Sequence, residues 1–158
     1  MRPLVIRFGR LGDMILLAPL LAELHRRYGE RCVVFGPGPW SRDLYAGHPD
    51  VGDVLQVNAR HRPLPLSPQR WRMVQALRRE RDSPVYVCET EPRALDKIRR
   101  MLALARVDRR HCLFITDFAT SNDEHWVDRL LRFAARTPAA LMEARRADAR
   151  VMQDRGPV

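Results

Sequence analysis

The chain has 158 residues, enough for one domain with a real core. Apolar and charged residues are both well represented, which excludes a disordered chain, and the longest apolar run, Met14 to Ala22, is about half of the ~20 residues that a bilayer span needs and contains Pro19. The formal net charge is +9 and Lys97 is the only lysine, so the basic surface is an arginine surface, suited to nucleic acid, a phosphorylated glycolipid or an acidic membrane face.

Residues 3–8 read as a first strand with apolar residues on both faces, as in a sheet covered on both sides. Arg7 and Arg10 break this apolar run, so it is no secretory signal, and a cytoplasmic location is predicted. Gly9 and Gly12 follow in a tight turn. A helix is predicted over 13–28, with Met14, Leu17, Leu21 and Leu24 as its core stripe, a kink or local loosening at Pro19 and a stop at Gly29. Residues 31–35 form a second strand, ended by Gly36-Pro37-Gly38-Pro39. A short helix over 40–46 and a break at 47–50 lead to a third strand at 54–57. A proline-rich loop, 58–68, carries Arg60, His61 and Arg62. A helix marked by Trp71, Val74 and Leu77 precedes a fourth strand at 85–88, with Glu89 and Glu91 just past its end. The next helix begins near Pro92, and the fifth strand is 112–115. Ser121 and Glu124 have capping-box spacing for a last helix through Leu130, Leu131 and Ala134.

Five alternations of strand and helix predict an α/β fold: a Rossmann-like parallel sheet flanked by helices, spanning 1–137, with 138–158 as a basic tail or truncated interdomain linker. In such folds ligands bind at the carboxyl ends of strands, which directs attention to the stretch from Arg7 to Asp13. Its glycines, Gly9 and Gly12, are spaced G-x-x-G. That is neither the dinucleotide fingerprint nor the phosphate-cradling loop with its lysine. Asp13 has two readings. It is either a cap of the helix it opens, or a carboxylate that, beside Arg7 and Arg10, takes a proton from a hydroxylated anionic ligand. Cys32, Cys88 and Cys112 are odd in number and far apart, and read as buried free thiols. No pair of histidines has metal-ligand spacing. His48 and His61 are loop candidates for ligand contact. Glu89 and Glu91, at a strand end facing the same crevice, are read as capping or solvated acids ahead of the alternative that they bind ligand hydroxyls, and Trp126 as packing for the last helix.

The run Arg7-Phe8-Gly9-Arg10-Leu11-Gly12-Asp13, followed by Pro19-Leu20-Leu21-Ala22-Glu23-Leu24, resembles the opening of the family 9 glycosyltransferases, the ADP-heptose:lipopolysaccharide heptosyltransferases. Gly36 to Trp40, His48 to Val54 and His125 to Leu131 are similar to later segments of that family. The resemblance implies the amino-terminal, acceptor-binding half of a GT-B fold. It implies Asp13 as general base in an inverting transfer without a metal, and Arg7, Gly9, Arg10, Gly12, Arg60 and Arg62 around the acceptor. No cofactor is implied. The donor is a nucleotide-sugar such as ADP-heptose, whose site belongs to a second domain that these residues do not contain, so a separate donor-domain chain is an implied partner. The acceptor would be a glycolipid or glycan met at the cytoplasmic face of the inner membrane, and no specific nucleic acid is expected. The competing reading is a non-catalytic basic module for an anionic ligand or nucleic acid. The arginines are not interleaved with aromatics, as a single-strand stacking platform requires.

Overall fold

A computed structural model describes residues 1–57, 68–118, 123–140 and 143. Strands β1 (Leu4–Ile6), β2 (Cys32–Gly36), β3 (Val51–Gln56), β4 (Val85–Val87) and β5 (Cys112–Phe114) form one sheet in the order β3-β2-β1-β4-β5. Every neighbouring pair is parallel. The predicted Rossmann-like α/β fold is therefore the observed one.

Side chains alternate across this sheet and separate two cores. Val5, Val34, Tyr86 and Leu113 face one side, where they meet Met14, Leu17, Leu21, Leu24, Leu130 and Phe133. Leu4, Ile6, Val33, Phe35, Val85 and Val87 face the other, against Met73, Leu77, Leu95, Ile98 and Leu102. Leu4, Val5 and Ile6 are all fully buried, so both faces of the central strand are covered. The first core is closed by α1 (Leu11–Ile15), α2 (Ala18–Tyr28), α3 (Trp40–Leu44) and α6 (Trp126–Ala134). The second is closed by α4 (Pro68–Arg79) and α5 (Pro92–Leu104).

Several boundaries differ from the sequence expectation. The helix predicted over 13–28 is two helices, broken at Leu16 and Leu17. Pro19 has no N–H to give the carbonyl of Ile15, so it lies harmlessly in the first turn of α2 rather than kinking a longer helix. The break is stabilised by Tyr45, whose hydroxyl donates to the Met14 carbonyl at 2.6 Å. β3 begins at Val51, because Cys32 pairs with it and extends the ladder back through Gly52 and Asp53. The last helix starts at Trp126, not from the Ser121 box. His125 is its N-cap, with Nδ1 accepting from the Val127 amide at 3.3 Å, while Glu124 pairs with Arg132 at 2.6 Å. Ser121 lies outside the described residues, as does the 144–158 stretch of the predicted tail. Thr137 Oγ1 accepts from the Ala140 amide at 3.2 Å, which caps a helical turn over 138–140.

The three cysteines are buried free thiols. Burial pushes the Cys32 and Cys88 thiols up to about 12 and Cys112 to about 11. Among the described residues no helix is long and apolar enough to cross a membrane, and no group of three His, Cys, Asp or Glu could hold a metal ion.

Candidate active site at the reversal of strand order

The chain winds outward from β1 to β3 on one side, then returns to place β4 on the other side of β1. The crevice between the carboxyl ends of β1 and β4 is thus the point where open α/β sheets hold ligands. Register sets what meets there. Ile6 pairs with Val87, so Arg7 leaves β1 level with Cys88 leaving β4. Arg7 turns into this gap and is 9% exposed, and Glu89, two residues past β4, is 6% exposed.

Arg7 is the hub. One terminal nitrogen donates to the Cys88 carbonyl at 2.6 Å and to Glu89 Oε1 at 3.4 Å; the other lies 3.3 Å from Asp13 Oδ1. Its guanidinium carbon is 5.3 Å from the centroid of the Trp126 ring, so α6 also reaches the site. Glu89 is held by backbone as well as by charge. Its Oε2 accepts from the Phe8 amide at 3.1 Å, and Oε1 from the amides of Thr90 at 2.9 Å and Glu91 at 3.2 Å. A buried carboxylate with this many donors stays compensated.

Asp13 differs from Glu89 in exposure, with 38% of its side chain open to solvent. It is not the first cap of α1. Arg10 holds the N-cap position and Asp13 the third helical position, from which Oδ2 accepts the Arg10 amide at 2.8 Å. This is the returning half of a capping box; arginine has no side-chain acceptor to supply the other half. Each carboxylate oxygen thus has one partner. With about four lone-pair sites, the group keeps acceptor capacity on its exposed side.

The two turn glycines do different work. A Cβ at Gly9 would sit 2.5 Å from Asp13 Cβ, 2.7 Å from Asp13 Oδ2 and 2.9 Å from Arg7 Nε. Only glycine lets the turn close over the Arg7–Asp13 pair. A Cβ at Gly12 would meet nothing within 4 Å. That position has open space in front of it and no internal need for glycine.

Beside the turn runs an open groove of about 380 Å³, lined by Gly9, Arg10, Leu11, Pro37 and Trp40. Its volume falls in the range of small-molecule sites, ~300–1,000 Å³. A larger apolar hollow of about 480 Å³ lies at the opposite edge of the sheet, among Met1, Tyr28, Pro84, His111 and Pro138. It contains no acid, so it lacks the chemistry that the carboxyl edge offers.

Of the residues singled out in the sequence, Arg7, Gly9, Arg10, Gly12 and Asp13 are brought together. Arg60, His61 and Arg62 lie outside the described residues. His48 is at the amino edge before β3, where Nδ1 accepts from the Asp50 amide at 3.2 Å and the ring packs on Tyr45. Glu91 caps α5 by accepting from the amides of Arg93 and Ala94. Glu89, read as a cap or a solvated acid, is instead the buried partner of Arg7, and Trp126 adds a contact to Arg7 to its packing role. Comparison with protein-family models, with curated proteins and with solved structures yields no match to this chain.

Proposed function

We propose that this domain is the acceptor-binding half of a family 9-like, heptosyltransferase-type glycosyltransferase, with Asp13 as its general base. The observation that carries the reading is a half-exposed carboxylate at the strand-order reversal, fixed by Arg7 and the Arg10 amide and open on one side. In the proposed step, Asp13 takes the proton of an acceptor hydroxyl as its oxygen attacks the anomeric carbon of a nucleotide-sugar such as ADP-heptose. The bond from that carbon to the diphosphate breaks, the nucleoside diphosphate leaves, and the configuration inverts. Arg7 holds Asp13 at its working angle, and Arg10, exposed at the rim, attracts acidic groups of the acceptor. The donor site is assigned to a second domain or chain, and the acceptor to a glycolipid or glycan approached from the inner membrane's cytoplasmic face.

A second reading is favoured by one observation: both Asp13 oxygens already have partners, as a purely structural acid would. The domain would then be a non-catalytic basic module for an anion or nucleic acid. A binding titration separates the two. Lipopolysaccharide core oligosaccharide, a neutral glycan and single-stranded DNA are each titrated at rising salt. The transferase reading expects binding that depends on sugar structure. Binding to DNA alone, weakening steeply with salt, would overturn it.

A further inference from the structure

The carboxyl-terminal part of α6 and the residues just past it carry a second concentration of donors, none of them bonded to Asp13. Arg129 and Arg132, three residues apart, share a side of the helix, and Arg136 lies two residues past its end. With Ile115, Phe118 and Phe133 they line a pocket of about 110 Å³. Arg132 is paired to Glu124 at 2.6 Å, whereas Arg129 and Arg136 have no carboxylate partner among the described residues.

The two unpaired guanidiniums are also held in place. Arg129 is half-buried; a terminal nitrogen donates to the Ile115 carbonyl at 3.2 Å, and its carbon lies 5.4 Å from the centroid of Trp126. The Arg136 guanidinium lies 5.5 Å from the centroid of Phe118, which itself packs edge-on against Phe133. Contact with aromatic rings fixes the planes of the guanidinium forks before any ligand arrives. Arg129 Nε and Trp126 Nε1 are buried without a hydrogen-bond partner among the described residues. Among the described residues that line it, the pocket thus offers three guanidiniums and no carboxylate, around a space that suits one compact oxyanion. Paired N–H groups of arginine match the oxygens of phosphate in a two-pronged bond, and two guanidiniums suit its higher charge better than that of a single carboxylate.

We propose that this pocket binds a phosphate group, presented either as a free or soluble monoester or on a lipid headgroup. The proposal does not rest on the sugar-transfer reading of Asp13. Inorganic phosphate is titrated into the full chain at constant ionic strength while arginine Nε–H signals are followed by NMR. The Arg129 signal is expected to shift saturably. Affinity is expected to fall at least about tenfold in Arg129→Gln and in Arg136→Gln, because each removes a charge-assisted bond. Arg109→Gln, which removes the same charge from the opposite end of β5, is expected to change nothing. Arg136 is exposed, so its variant remains informative even if Arg129→Gln unfolds through loss of the Ile115 bond. Vesicles bearing a phosphomonoester lipid distinguish the sources: binding displaced by free phosphate assigns a headgroup, and phosphate binding without vesicle binding assigns a soluble ligand. Equal weakening in all three variants, or shifts that never saturate, would mean an ion atmosphere around a basic chain and would overturn the proposal.

Discussion

Replacing Gly9 by alanine tests the site's geometry without touching a charged group. The added methyl would stand 2.5 Å from Asp13 Cβ and 2.9 Å from Arg7 Nε. Asp13 Cβ belongs to α1 and cannot swing aside as a side-chain tip can, so the turn or the helix must shift. Overpacking of this kind costs about 1–3 kcal/mol. Alanine also restricts the unfolded chain, which returns about 0.4–1 kcal/mol. A net loss of roughly 1–2 kcal/mol follows, or a fall in melting temperature of roughly 2–8 °C for a domain of this size. Gly12→Ala is the control one helical turn away. Nothing lies within 4 Å of its added methyl, and alanine favours helix over glycine by about 0.5–1 kcal/mol, so it is expected to stabilise. Urea denaturation of the wild type and both variants reads the two signs directly. A Gly9→Ala protein as stable as the wild type would refute the close approach of turn, Arg7 and Asp13.

Two further outcomes follow. Glu89→Ala leaves Arg7 with a single carboxylate and strips acceptors from three backbone amides; removing one partner of a buried pair costs about 3–5 kcal/mol, and a loss under about 1 kcal/mol in urea denaturation would contradict that role. The Arg2 hydrogen bond at 2.6 Å holds the Glu80 carboxyl below its ordinary value of 4.5. A folded-state value below the unfolded one adds stability above the unfolded value, and that stability is lost as pH falls through the folded value. Melting temperatures measured downward from pH 5 are therefore expected to drop less in Glu80→Gln than in the wild type; identical slopes would contradict it.

The fold was legible because its strands carry apolar runs and its helices carry clear stripes, as Val85-Tyr86-Val87 and Leu95, Ile98 and Leu102 show. Strand order was less so. No local pattern states that β4 pairs with β1, yet that pairing is what brings Glu89 to Arg7. Read along the chain, Glu89 is an acid at a strand end facing the crevice, and nothing local shows that it is buried against Arg7. Asp13 was recognisable as an important acid, but its position within α1 was not. Its bond to the Arg10 amide depends on the chain turning at Gly9 and starting the helix at Leu11. The break at Leu16 and Leu17 was half visible: Pro19 signals trouble for a long helix, while the tyrosine that satisfies the Met14 carbonyl comes from residue 45.

The proposed role of Asp13 is tested most directly by Asp13→Asn in a transfer assay that supplies a donor-domain partner, a nucleotide-activated heptose and a lipopolysaccharide core acceptor. Asparagine keeps an oxygen for the Arg10 amide and nearly the same volume, but it cannot take the hydroxyl proton. Transfer is expected to fall by about 10²–10⁴-fold with acceptor binding changed only a few-fold. Transfer at the wild-type rate in Asp13→Asn would contradict its assignment as the base.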